Sequence, residues 1–324
     1  MRLLLVGDVM LGRLVNQAML GRPPGWVWQD TLTLFESADW RACNLECVLT
    51  HRRRPAHLSK AFHFRSDPGN IRALTAAGFN AVSIANNHVL DFGSEALLEM
   101  IARLDACGIR HAGAGRDIAE ASRPAVSHVG GVRIGLLAAT DNEPAWAASE
   151  DKPGVFHVPA SDGSAMKKGC LVPAVEDARR QVDLLIVSMH WGPNRGWDPP
   201  LGHRSLADTL IEAGADVVYG HSAHVFRGIE IKRGRPVIYS AGDFVDDYAV
   251  DDYERNDWTL VLVVETQGRR LVHLRLRPAL ISGCRTRLAE GAEAEPILHK
   301  AAELCKAEGT NVELKGEEAV IALA

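Results

Sequence analysis

A layered α/β domain is what this sequence predicts, and three observations predict it. Short apolar runs rich in β-branched residues alternate with stretches of helical periodicity, a strand–helix–strand rhythm. The later part of the chain is richer in strands, which argues for a mixed sheet or two packed sheets over a simple doubly wound one. Polar clusters fall repeatedly on the carboxyl ends of the apolar runs, where α/β sheets place their ligand sites.

In chain order the strand runs are 3–6, 81–84, 134–138, 184–188, 217–219, 237–239, 260–264 and 272–276. Apolar residues recur at helical spacing over 67–77, 94–107, 173–182, 203–213 and 295–307. The segment 142–169, rich in Ala, Ser, Gly, Pro and charge, reads as a surface excursion or lid. From about residue 290 the chain reads as one helix followed by two short strands. No repeat of 20–50 residues and no low-complexity tract interrupts the pattern. One domain over 1–324 is expected, with the polar clusters inside 1–247 and the elements of 258–324 packed on the same body.

Composition narrows the function classes. Hydrophobic residues make up 47% and charged residues 24% of the 324, enough apolar material for a sizeable core. A formal net charge of -5 gives no basis for wholesale nucleic-acid or anionic-membrane binding. The only basic run, Arg52-Arg53-Arg54, is short enough to be a solvated loop. Six scattered cysteines form neither a disulfide framework nor a Cys-type zinc pattern, so reduced thiols and a cytoplasmic setting are expected. The opening apolar run stops at Asp8, too early for a signal peptide, and no apolar stretch approaches the 18–20 residues of a membrane span.

The clusters themselves are chemically coherent. Gly7-Asp8 and then Arg13 follow the first run. Asn44-Leu45-Glu46 precedes Val48-Leu49, and Asn86-Asn87-His88 with Asp91 follows Ile84. His190-Trp191-Gly192 follows the 184–188 run, Gly220-His221 and His224 follow Tyr219, and Gly242-Asp243 with Asp246 and Asp247 follows the 237–239 run. Carboxylate, carboxamide and imidazole donors suit one or two divalent ions of Mn, Fe or Zn. Such ions polarise a substrate oxygen, and a nearby imidazole can protonate a leaving group. Arg13, Lys60 and Arg65 could hold an anionic substrate group, with the surface the better expectation for Lys60 and Arg65.

The ordered set GDVMLGR, NLE, ANNHVLDFG, HWG, GHSAHVFRGIE and GDFV resembles the CapA family of capsule-synthesis and poly-γ-glutamate biosynthesis proteins, which is similar in motif order to calcineurin-like metallophosphoesterases. Any one motif is weak, whereas six in the same order are specific, and they cover residues 1 to about 247. The resemblance implies a four-layer α/β/β/α sandwich with mixed sheets. It also implies metal ligands at Asp8, Glu46, Asn87, His190, His221 and His224, with Glu46 bridging two ions. His88 then lies near the leaving group, with Asp91 as the displaced carboxylate of the Asn-His motif.

Two departures from the superfamily pattern carry expectations. Met10 stands where that pattern has a His, and a thioether is a poor ligand for hard ions, so one metal position is expected to lack a ligand. The closing histidines are three residues apart instead of two, so both are not expected to project as in the parent motif. Asp243, Asp246 and Asp247 read equally as partners that orient ligands or as a solvated acidic loop. Alone, Asp8 could cap a helix over 11–20, Asn44 and Glu46 could be loop polars, and His190 a satisfied core histidine. Three functions fit: a metal-dependent hydrolase of phosphoesters, a factor that assembles or processes an amide-linked polyglutamate, and a non-catalytic binder with a degenerate metal site. The partner expected is a small or polymeric anionic substrate.

Overall fold

The computed structural model describes residues 1–56, 58–159 and 169–323. Two sheets dominate the described residues. The larger is ten-stranded and mixed. At its centre Arg2–Val9 pairs in parallel with Trp40–Leu45 and with Asp243–Val245, and antiparallel with Trp258–Gln267. Beyond Trp40–Leu45 lie Ala81–Ser83 and Arg110–Ala112, both parallel. Beyond Trp258–Gln267 lie Arg270–Ser282 and the C-terminal pair Glu318–Ala322 and Glu313–Lys315, all antiparallel. The smaller sheet has six strands. Val132–Thr140, Leu184–His190, Val217–His221 and Arg235–Ile238 run parallel, flanked by antiparallel Ala125–Val129 and Ile229–Lys232.

Side-chain alternation along each strand sorts the apolar residues into three cores and so fixes the layer order. In the first strand Leu3 and Leu5 point between the sheets, where they join Leu136, Ile186 and Tyr219 of the second sheet. Leu4 and Val6 point the other way, onto Leu74, Leu97 and Met100 of the helices Ile71–Ala76 and Ser94–Ala106. In the second sheet Leu137 and Val187 face outward onto Val175 and Leu206 of Leu171–Gln181 and Leu201–Ala213. The result is a four-layer α/β/β/α sandwich with mixed sheets. A one-residue slip of the first strand would exchange both faces at once, so its register is strongly held. The helix Ala294–Ala307 packs Ile297 and Leu298 into the inter-sheet core, and the C-terminal strands belong to the larger sheet.

All eight strand runs and all five helical stretches read from the sequence have counterparts here. Trp40–Leu45 was not legible as a strand, because Arg41 and Asn44 break its apolar pattern. The strand is nonetheless central, and Asn44 is fully buried with both ends of its amide hydrogen-bonded. Asp8 does not cap a helix. It lies inside Arg2–Val9, and the following helix, Arg13–Ala18, begins after Gly12. The 142–169 segment contains a 3-10 turn at Pro144–Trp146 and the short strand Gly154–Val155, and 160–168 lie outside the described residues. No described helix is long and apolar enough to cross a membrane.

Two glycines set the geometry of the central strands. A Cβ on Gly7 would sit 1.9 Å from the Gly242 carbonyl oxygen, and Gly242 itself holds φ +73. Without side chains there, the Asp8 amide reaches the Gly242 carbonyl at 2.9 Å, and Asp8 stands beside Asp243 in the parallel register.

Candidate metal centre

Five parallel strands of the two sheets deliver polar side chains to one place. Asp8 pairs in register with Asn44 on one side and Asp243 on the other, while His190 pairs with His221 in the second sheet. All five are buried. Two sets of donors converge there, each with its atoms within 4.8 Å of one another: Asp8 with His190 and His221, and Asp8 with Glu46, Asp243 and His224. Asp8 belongs to both, so the shared carboxylate is Asp8, where the resemblance implied Glu46.

A carboxamide ladder holds Asp8 in place. Asn86 Nδ2 donates to Asn44 Oδ1 at 3.0 Å, and Asn44 Nδ2 donates to Asp8 Oδ1 at 2.8 Å. On its other side Asp8 Oδ2 accepts the Ser222 amide at 3.1 Å. His221 places Nδ1 at 3.5 Å from Asp8 Oδ1 and at 2.8 Å from His190 Nδ1. His190 Nε2 lies 2.9 Å from Asn87 Oδ1 and 3.8 Å from Glu46 Oε1. The three-residue spacing of the closing histidines is absorbed by a turn in which Ser222 and His224 take φ 99 and 59. Left-handed backbone at two non-glycine residues is costly and marks a site that needs it. It brings His224 Nδ1 to within 2.9 Å of Asp243 Oδ1, so that His221 and His224 each join one of the two donor sets.

His88 and Asp91 stand at the edge. His88 Nδ1 donates to Asp91 Oδ2 at 2.7 Å, its ring stacks on Phe64 at 3.6 Å, and Nε2 points toward Glu46 Oε1, 4.0 Å away. Lys60 is not a surface residue: it donates to Asp91 Oδ1 at 2.7 Å and to the Asn87 carbonyl. Arg65 instead donates to the Thr50 carbonyl at 2.8 Å, a structural contact. Arg13 lies across the opening, with Nε 3.4 Å from Asp247 Oδ2 and its guanidinium 5.3, 5.7 and 5.9 Å from the rings of Phe62, Phe64 and Tyr248. Arg13, Lys60, Asn87, His88, Arg195 and His224 all line one cavity of about 710 Å³. Trp191 is core, its indole N–H on the Tyr239 carbonyl at 2.8 Å.

The electrostatics are those of carboxylates crowded into a buried space. Burial, and then the neighbouring Asp243, push the Asp8 carboxyl up to about 7. Burial, and then Asp8, raise Glu46 well above the usual carboxylate range. Glu46 Oε2 and Asp243 Oδ2 are buried with no hydrogen-bond partner. Burial keeps His190 and His221 neutral, His221 down to about 3, leaving lone pairs free to ligate. Unpartnered buried carboxylate oxygens beside neutral imidazoles are what a divalent ion would satisfy, and the donor set fits one.

His224 goes the other way: burial opposes its charge, but Asp243 and then Glu46 and Asp8 raise it to about 10. A histidine raised above its unfolded value near 6.5 stabilises fully below that value, and the stability is lost as pH climbs through the folded value. The metal-free protein should therefore become less stable between pH 6.5 and about 10, with a limiting slope of about 1.4 kcal/mol per pH unit from this group. Denaturant melts of the metal-free protein and of His224→Gln across that range test it, since the variant should lack the slope.

The comparisons with known proteins belong to this geometry. Residues 2–248 match the family model described as bacterial capsule synthesis protein PGA_cap. The chain belongs to that family. A probable polyglutamine synthesis accessory protein of Mycobacterium tuberculosis is 35% identical over 337 residues, covering 90% of this chain and 88% of that one. The PGA biosynthesis protein CapA of Bacillus subtilis is 29% identical over 244 residues, covering 75% of this chain and 62% of that one. Among solved structures, a hypothetical protein from Thermus thermophilus superposes with TM-score 0.52 at 15% identity, over 86% of this chain and 98% of that one. At that identity the likeness concerns the fold alone. The PGA_cap match ends at 248, just beyond Asp243, so every donor of the two sets lies inside it.

One contact outside the motifs orients a histidine of the first donor set. Ser188, buried in the strand that ends at His190, places Oγ 2.7 Å from His221 Nε2. With Nε2 engaged, Nδ1 is the nitrogen left facing Asp8. Partners of this kind are typically worth 10–100-fold in affinity. Ser188→Ala is expected to weaken metal binding by about that factor, read by competition with a chromogenic chelator.

Proposed function

We propose that this PGA_cap protein is a metal-dependent hydrolase acting on phosphoesters. The observation that carries the reading is the pair of donor sets sharing Asp8, whose His224 opens onto a cavity that Arg13, Lys60 and His88 also line, with Asp91 holding the His88 ring. Asp8, His190 and His221 would hold one divalent ion, with Asn87 completing that position, and His224 and Glu46 would hold a second. A divalent ion bound there supplies Lewis acidity toward a phosphoryl oxygen. The chain's own groups do the rest. Arg13, kept in place by Asp247 and three aromatic rings, and Lys60 present positive charge to the substrate's non-reacting oxygens. Asp91 accepts Nδ1–H of His88, which fixes the ring so that Nε2 faces the reacting group and can pass it a proton.

A second reading has its own observation. The cavity exceeds what a phosphate monoester needs, and Asn87, Asn194 and Asn256 set three carboxamides on its wall. Together with the biosynthetic names of the relatives, this favours an amide-linked polyglutamate as the occupant. The separating experiment is elemental analysis of the purified protein, followed by a panel of phosphoesters against γ-glutamyl peptides with each of Mn²⁺, Fe²⁺ and Zn²⁺. Turnover of a phosphoester that a chelator abolishes supports the first reading. Turnover confined to γ-glutamyl bonds replaces it with the second. A protein that takes up no metal from any of the three is a binding module, and neither hydrolase reading survives.

A further inference from the structure

Met10 occupies the position where the superfamily pattern has an imidazole ligand, and the structure shows what its side chain does instead. It is fully buried among the apolar residues on the helix side of the sheet, and its sulfur accepts the Gly12 amide at 3.1 Å. It is committed to packing. The strand on the far side of Asp8 supplies a different group. Asp243 is buried, stands beside Asp8 in the parallel register, and has one carboxylate oxygen 2.9 Å from His224 Nδ1. Its other oxygen is buried without a partner, as is Glu46 Oε2. Its backbone is held by the Thr259 hydroxyl on its carbonyl, so the side chain's place is not adjustable at will.

We propose that Asp243 is a metal ligand that takes over the coordination role absent at Met10, and that the two cation positions consequently differ in kind. The position around His190 and His221 offers two imidazoles and one carboxylate. The position around His224 offers three carboxylates, from Asp8, Glu46 and Asp243, with a single imidazole. Imidazole donors suit Zn²⁺, whereas carboxylate oxygen suits Mn²⁺ and Mg²⁺. The carboxylate-rich position is therefore the one that takes Mn²⁺ when Zn²⁺ fills the other. Asp243, the first residue of its strand, is then a ligand, not part of a solvated acidic loop. This inference rests on the metal-centre reading above but not on any hydrolytic activity.

The test is a two-metal titration of the full chain. Metal-free protein is loaded with one equivalent of Zn²⁺ and titrated with Mn²⁺, while the free Mn²⁺ signal is followed by electron paramagnetic resonance. The wild type is expected to take up about one Mn²⁺ without releasing zinc. Asp243→Asn should weaken that uptake by at least about 10-fold and leave the zinc in place, while Met10→Leu should change neither. Spin-echo measurement of nitrogen coupling in the wild-type Mn²⁺ complex gives a reading that does not depend on whether a variant folds: one coupled imidazole is expected. Unchanged Mn²⁺ uptake in Asp243→Asn, a loss in Met10→Leu, or two coupled imidazoles overturns the proposal. Zinc bound with no Mn²⁺ uptake by the wild type overturns it too while leaving the first metal position standing. Failure to bind either ion removes the metal centre itself.

Discussion

Asp8→Asn is expected to strip the chain of tightly held metal while leaving it folded. Asp8 is the one donor common to both sets, so its loss weakens both positions together. Losing a partner outside the coordination shell already costs 10–100-fold, and losing a shared ligand should cost at least about 100-fold at each position. The variant should not pay in stability. In the metal-free protein the Asp8 carboxyl is raised to about 7 by burial and by Asp243, so the folded state holds its proton more tightly than the unfolded chain does. A raised carboxyl favours the fold below the unfolded value near 3.9 and works against it as pH rises through the folded value. At pH 8 a neutral amide removes that penalty, while its single oxygen keeps the bond from Asn44 or from Ser222 and loses the other, so it should melt close to the metal-free wild type. Elemental analysis after dialysis against a chelator, beside a thermal melt of the metal-free forms, checks both halves. Full metal content in Asp8→Asn would sink the assignment of the shared carboxylate.

The contrast between Asp8 and Asn44 shows how much of this centre the sequence made legible, and why the remainder was hidden. Asp8 announces itself, because it ends a clean apolar run behind a glycine. Asn44 lies in a strand whose pattern is broken by Arg41, and the strand becomes credible only once Asp8 and Asn86 are seen to satisfy its amide from both sides. Tertiary pairing, not local pattern, makes Trp40–Leu45 central. Asp243 carried a signal, its place at the end of a β-rich run, but a carboxylate next to two more in sequence looks equally like a solvated loop. What separates Asp243 from Asp247 is the pairing with Arg2–Val9, a contact between residues more than 200 positions apart. Lys60 was hidden for a similar reason: nothing local distinguishes a lysine in a polar loop from one whose ammonium reaches a buried carboxylate. Ser188 gave no signal at all, since a serine in a parallel strand can face a ligand or simply pack. The layer order was far more accessible, because alternation within individual strands assigns each residue a face without knowledge of any partner.

His88→Gln should separate the metal from the chemistry. His88 is in neither donor set; its Nδ1 is taken by Asp91 and its Nε2 stops 4.0 Å short of Glu46. Removing it should leave the metal content intact and reduce turnover of a metal-dependent phosphoester substrate by about 10²–10⁴-fold, the range for loss of a positioned general acid or base. Burial holds the His88 ring down to about 4, with Asp91 opposing, so in the resting protein the ring is neutral near pH 7. It carries the proton on Nδ1 and keeps Nε2 open. A proton donated to the leaving group must then arrive with the substrate, whose negative charge stabilises the imidazolium. Two consequences follow for rate measurements. Substrates with an acidic leaving group, which need no proton, should be nearly indifferent to His88→Gln, whereas alkyl esters should show the full loss. Asp91→Asn, which cannot accept Nδ1–H as a carboxylate does, should reproduce the alkyl-ester defect in milder form and with unchanged metal content. Equal losses on both substrate classes would mean that His88 positions the substrate and does not move a proton. A fall in bound metal in His88→Gln would instead place the ring inside the metal centre.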